Sequence, residues 1–167
     1  MLVVFGGLPG SGKTTLAQRV AHELAAAYVR VDAIEAALWR AVVSTDQPTG
    51  LAAYAAAHAV AEGSLRAGAR VVADAVNPVE QAREAWRRLA AQTGAPLRVI
   101  EVVCSDRAEH RRRVQSRAPD LEGYQVPTWA DVAAREYEPW SEPRLVVDTA
   151  ATSAEECLAQ MLDYASR

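Results

Sequence analysis

Residues 7–14 read Gly-Leu-Pro-Gly-Ser-Gly-Lys-Thr directly behind the apolar run Leu2-Val3-Val4-Phe5, so the pattern G-x-x-x-x-G-K-[ST] is met at every fixed position. No other stretch constrains the fold as strongly. Small residues at this spacing let successive backbone N–H groups turn inward into an anion-binding nest, and the helix that must follow aims its positive dipole end at the same point. Leu16, Ala17, Val20, Ala21 and Leu24 mark one face of that helix. The chain is therefore expected to place a phosphate-binding loop between a first strand and a first helix. Gly7, Pro9, Gly10, Ser11 and Gly12 would form the cradle with Thr15 at its edge. Lys13 would reach the β- and γ-phosphates of a nucleotide, and the Thr14 hydroxyl would ligate Mg²⁺.

Apolar runs alternate with helical patterns along the rest of the chain, the signature of an α/β domain with a parallel sheet. Strands are expected at 2–6, 28–31, 70–74, 97–103 and 145–148. The helix after the loop should run to about Ala26, and others should begin near Asp32, Leu51, Pro78, Asp106, Thr128 and Ser153. Ser153 with Glu156 and Asp32 with Glu35 have capping-box spacing, and Thr128 lies between Pro127 and Asp131. Two segments break the pattern. Residues 44–50 read as a surface loop, and residues 118–127, with Pro119, Gly123 and Pro127, read as a lid over the phosphates.

With 167 residues, half of them hydrophobic, one domain spanning 1–167 is expected. The first strand leaves no room for a secretory leader, and no apolar stretch approaches the ~18 residues of a membrane span, so a cytoplasmic protein with no membrane contact is expected. A net charge of −3 argues against a broad nucleic-acid face. Cys104 and Cys157 lack metal-ligand spacing and read as core thiols.

Asp74 ends the strand Val71-Val72-Ala73 as a Walker B carboxylate would, but Ala75 follows where many ATP-driven motors carry a glutamate. No Asn-Lys-x-Asp guanine-reading motif and no ABC-type signature occurs. With the loop at 7–14, an aspartate in Arg30-Val31-Asp32, the strand end Val72-Ala73-Asp74-Ala75-Val76-Asn77, arginines from Arg111 to Arg117 and the late strand Leu145-Val146-Val147-Asp148-Thr149, the chain resembles the small P-loop kinases grouped with polynucleotide-kinase domains, zeta-type toxins and chloramphenicol phosphotransferase. The resemblance implies a kinase-type three-layer sandwich: a five-stranded parallel sheet of order 2-3-1-4-5, helices on both faces, a short lid, and a site at the carboxyl ends of the strands.

Phosphoryl transfer needs positioning, charge stabilisation and a carboxylate for the acceptor hydroxyl. Asp32 is the expected base, with a helix cap as its alternative, and Asp74 is expected to hold Mg²⁺ or to share the acceptor. Asn77 reads as a turn residue. Arg113 and Arg117, four apart, should share a helical face at the lid entrance and resemble the Arg-x-x-x-Arg pair that contacts adenine and γ-phosphate in nucleoside monophosphate kinases. Which of them meets phosphate is open. Asp148 and Thr149 should lie at the adenine edge. Glu35, Trp39, Tyr54 and His58 are the acceptor-pocket candidates, and Glu35 would favour a neutral or cationic acceptor. The expected activity is ATP- and Mg²⁺-dependent phosphorylation of a small-molecule hydroxyl. A polynucleotide or nucleotide kinase and a non-catalytic ATP-binding regulatory or toxin–antitoxin protein are the alternatives.

Overall fold

The computed structural model describes residues 1–41 and 49–167. Five strands, β1 (Leu2–Gly6), β2 (Ala27–Arg30), β3 (Val71–Asp74), β4 (Leu97–Val103) and β5 (Leu145–Asp148), form one sheet of order β2-β3-β1-β4-β5. Every pairing is parallel: Phe5 lies opposite both Asp74 and Ile100, and Arg30 lies opposite Asp74. Parallel strands need crossovers, and helices supply them: α1 (Lys13–Glu23), α2 (Val31–Ala41), α3 (Gly50–Arg66), α4 (Glu80–Thr93), α5 (Arg107–Ser116), α6 (Trp129–Ala134) and α7 (Ala154–Ser166).

Strand β1 is buried on both faces, as a central parallel strand must be. Leu2 and Val4 join Val29, Val71, Ala73, Trp86 and Leu89 in one core, with Ala53, Ala57 and Ala61 of α3 bringing that helix close. Val3 and Phe5 face the other way, onto Leu16, Val20, Val102, Cys157 and Met161. The result is three layers. Cys157 is buried but Cys104 is part-exposed at the end of β4, so the expectation of core thiols holds for Cys157 alone.

Helix starts follow side-chain chemistry. Asp106 accepts from the N–H groups of Ala108 and Glu109, and Thr128/Asp131 and Ser153/Glu156 form complete capping boxes. The Asp32/Glu35 box does not form. Helix α2 already begins at Val31, which puts Asp32 inside the first turn, and Glu35 instead accepts a hydrogen bond from Thr49 Oγ1 at 2.8 Å. Of the loop expected at 44–50, residues 44–48 lie outside the described residues; Thr49 is buried and Gly50 opens α3.

Candidate active site

The loop after β1 is tied down from three sides. Gly7 has φ 138°, and a Cβ there would sit 2.2 Å from the Val102 carbonyl oxygen; at Gly10, φ 85°, it would sit 2.5 Å from Val114 Cγ2. Glycine is required at both by backbone conformation and by the close approach of β4 and α5. His110 Nε2 donates to the Pro9 carbonyl at 2.8 Å, Thr149 Oγ1 donates to the Ser11 carbonyl at 2.8 Å, and the Gly7 N–H donates to Val76 at 3.1 Å. Within this clamp the Ser11 hydroxyl oxygen is buried without a hydrogen-bond partner. An orphaned donor in an inward-turned loop fits a phosphate oxygen.

Lys13 opens α1 almost fully buried and donates from Nζ to Asp74 Oδ1 at 2.9 Å, while Tyr28 donates to Asp74 Oδ2 at 2.7 Å. Burial pushes the Asp74 carboxyl up, but the Lys13 charge and hydrogen bonds from Lys13, Tyr28 and Thr14 outweigh it and hold the group below the usual carboxylate range. Burial and the facing Asp74 carboxylate raise the Tyr28 phenol far above its ordinary value, so it stays a donor. Asp74 and Thr14 thus lie together beside the lysine. Among the described residues no group of three or more His, Cys, Asp or Glu side chains could hold a metal by itself. A hydroxyl and one carboxylate suit a Mg²⁺ that shares its shell with phosphate and water.

A cavity of about 460 Å³ opens above this loop, and Lys13, Thr14, Thr15, Asp32, Arg113 and Arg117 all contribute to its walls. Asp32 therefore borders the same open space as the phosphate-binding loop. The two arginines do not share a helical face as expected, because α5 ends at Ser116 and Arg117 is already extended, with Pro119 closing off further helix. Their partners separate them. Arg113 donates to Thr149 Oγ1 (2.7 Å), the Thr149 carbonyl (3.1 Å) and Glu109 (2.7 Å), which fixes it against the end of β5. Glu109 is held down at about 2 by hydrogen bonds from Arg112 and Arg113. Asp148 accepts from the Ser105 and Ala150 N–H groups and shapes the same turn. Arg117 instead donates to Asp120 Oδ1 at 2.9 Å, on the 118–127 segment.

That segment folds onto α2. Tyr124 stacks on Trp39 with ring centroids 5.7 Å apart, and Arg40 donates to the Glu122 carbonyl at 2.6 Å. Tyr124 and Pro127 line the cavity, so the segment roofs it from the α2 side.

Glu35, Trp39, Tyr54 and His58, all among the described residues, are not walls of this cavity. Trp39 lies one side chain behind, under Tyr124. Tyr54 accepts from the Asn77 N–H at 3.0 Å, burial pushing its phenol up to about 12. His58 packs its ring 4.0 Å from Trp86, and burial, then the Arg88 charge, lowers its pKa. Glu35 is engaged by Thr49 and supplies no charge to the cavity wall. Asn77 does more than turn the chain. At φ 50° and fully buried, it donates from Nδ2 to the Phe5 carbonyl (2.8 Å) and accepts from Trp86 (3.0 Å), which locks the ends of β1 and β3 beside the loop.

Sequence reasoning missed Arg30 and Asp120. Arg30 ends β2 buried, and both its terminal nitrogens donate to the Asp120 carboxylate. The Arg30 bond, opposed by burial and reinforced by Arg117, holds Asp120 well below the usual carboxylate range. The signal available was a lone arginine interrupting the apolar strand Tyr28-Val29-Arg30-Val31. Its partner 90 positions away carried none.

A family model described as an AAA domain matches residues 2–136. A probable adenylyl-sulfate kinase of Aeropyrum pernix is 29% identical over an alignment of 167 residues, covering 93% of this chain and 86% of the relative. Among solved structures, Chaetomium thermophilum Kti12 in complex with ADP-AlF3 superposes with a TM-score of 0.71 at 23% identity, covering 98% of both chains. The Mycobacterium tuberculosis APS kinase CysC in complex with AMPPNP and APS superposes with a TM-score of 0.62 at 21% identity, covering 99% of this chain and 97% of that one. With most of its length matched and the sheet order these folds share, the chain belongs to the AAA-domain family and carries a P-loop kinase-type fold.

Proposed function

We propose that this protein is an ATP-dependent phosphotransferase that moves the γ-phosphoryl group to a hydroxyl of a small molecule. The observation that carries the reading is that the loop lysine, a carboxylate from α2 and an arginine at the lid entrance line one cavity with room for a small acceptor. The triphosphate would lie in the nest of residues 7–15, with Ser11 and Lys13 on its oxygens and the base bounded by Arg113 and Thr149. Asp32 would take the proton of the acceptor hydroxyl as that oxygen attacks the γ-phosphorus in line, the bond from the γ-phosphorus to the β–γ bridging oxygen would break with ADP leaving, and Arg117 would meet charge developing on the transferring group. Thr14 and Asp74 would hold Mg²⁺, which neutralises charge on the β- and γ-oxygens when bound.

The likeness to kinases of small molecules supports this acceptor class over a nucleic-acid end. Among the described residues no helix is long and apolar enough to cross a membrane. The test is a panel of hydroxyl acceptors with ATP and Mg²⁺, read by mass spectrometry for one added phosphoryl group, in wild type and Lys13→Ala. It should include adenylyl sulfate, sugars, amino sugars, nucleosides and 5′-hydroxyl oligonucleotides. Transfer to a small molecule by wild type and none by the variant is expected. Bound ATP with no acceptor modified would move the reading to a regulatory protein, and transfer to oligonucleotide ends alone would move it to a polynucleotide kinase.

A further inference from the structure

Arg30 and Asp120 are an asymmetric pair. The arginine stands on a strand with its side chain 5% exposed, whereas the aspartate is 44% exposed on a segment without regular secondary structure. Asp120 is a wall of the cavity and Arg30 is not, so the carboxylate that the guanidinium grips is the one that borders the open space. The match is also incomplete. A guanidinium has five N–H donors, Asp120 engages the two terminal nitrogens, and the buried Nε has no partner. Asp32 Oδ2 stands 4.0 Å from Nη2, too far for a hydrogen bond. An oxyanion with three free oxygens would satisfy this fork better than one carboxylate does. The same Asp120 also engages Arg117, so the contact that fills the Arg30 fork withholds the arginine assigned to the γ-phosphoryl group.

From this geometry we infer that Arg30 is an anion-binding subsite for the acceptor, occupied by the Asp120 carboxylate until an oxyanion of the acceptor displaces it and thereby frees Arg117. The acceptor on this account is a hydroxyl compound that also carries a phosphate or sulfate group. Its charge would replace the counterion that the buried arginine loses, so opening the segment leaves no unpaired cation behind. Coupling of this kind ties phosphoryl transfer to the presence of the correct acceptor. The inference rests on the phosphotransferase reading for the identity of the ligand as acceptor, but not for the existence of the subsite.

The test uses sulfate as the probe, titrated calorimetrically at constant ionic strength into protein saturated with AMPPNP and Mg²⁺, so that the loop at 7–14 is already filled. Wild type is compared with Asp120→Asn and with the double variant Asp120→Asn/Arg30→Lys, which keeps the buried charge but loses the fork. Melting curves establish that each is folded. Asp120→Asn should bind sulfate at least about fivefold more tightly than wild type, and the double variant should lose that gain. Equal affinity in wild type and Asp120→Asn would overturn the proposal, as would a gain that survives Arg30→Lys. If AMPPNP abolishes sulfate binding in every variant, the anion site belongs to the nucleotide and the acceptor assignment fails. Because the readout is sulfate and not turnover, failure of the phosphotransferase reading would show separately, as absence of transfer in the acceptor panel.

Discussion

Arg117 stands at the lip of the cavity with its guanidinium part-exposed and held by Asp120, a position from which it can swing onto a γ-phosphate. A group that meets charge only as it develops acts mainly on turnover. Arg117→Ala should therefore lower kcat by on the order of 10² or more, with a smaller change in ATP affinity, as steady-state kinetics and calorimetry would read. Wild-type kcat in this variant would transfer the role to Arg113. At this scale the sequence was most legible where chemistry is written in contiguous residues. Lys13 and Thr14 were expected from the motif's spacing and Asp74 from its place at the end of β3, and the structure adds Tyr28 as a donor to Asp74 beside Lys13. Arg30 and Asp120 were illegible, because a pair made by docking a loop onto a strand end leaves no periodicity.

Elements were readable to within a residue or two wherever a cap or a strong alternation marked their ends, as at Ser153, Thr128 and Asp106. The errors lie where tertiary contact overrides local preference. Helix α2 starts at Val31 with no connecting residue after β2, and α4 is delayed to Glu80 because Asn77 takes a left-handed conformation ahead of Pro78. The acceptor-side candidates drawn from α2 and α3 faced the core or sat one side chain behind the cavity, because an aromatic residue with a polar tip reads alike in both settings. The capping box at α7 offers a clean test of an element. Ser153 accepts from the Glu156 N–H and Glu156 returns a bond to the Ser153 N–H. Ser153→Ala should cost about 1 kcal/mol, a fall of roughly 2–4 °C in Tm for a chain of this size, with ATP binding unchanged. A calorimetric scan showing no shift would mean that α7 is fixed by packing of Leu158 and Met161 alone.

For the whole molecule, strand alternation in the sequence indicated a parallel α/β sheet, whereas the order 2-3-1-4-5 came from resemblance, since hydrophobic periodicity does not say which strands are neighbours. The structure has that order. Charge coupling across the site gives the molecule an acid limit. Asp74 and Asp120 are both depressed by buried or half-buried cations, so the stability they contribute is full above the ordinary carboxylate range and is lost as pH falls through their folded values. Tm should hold from neutrality to about pH 5 and fall steeply below about pH 4. In Asp120→Asn that fall should be shallower, because one of the depressed carboxyls has been removed. An acid limb of unchanged slope would mean that the pair contributes nothing to the linkage.

In the proposed mechanism Asp32, which borders the cavity with the loop, takes the proton of an acceptor hydroxyl. Asp32→Asn preserves size and removes the basic oxygen, and since Asp32 lies inside the first turn of α2 rather than capping it, little stability should be lost. The decisive measurement is single-turnover transfer from ATP to the acceptor found in the panel, in wild type and Asp32→Asn, alongside ATP affinity and Tm. The transfer rate should fall by roughly 10² to 10⁴ with ATP binding and Tm nearly unchanged. Transfer at the wild-type rate in the asparagine variant would rule out Asp32 as the base.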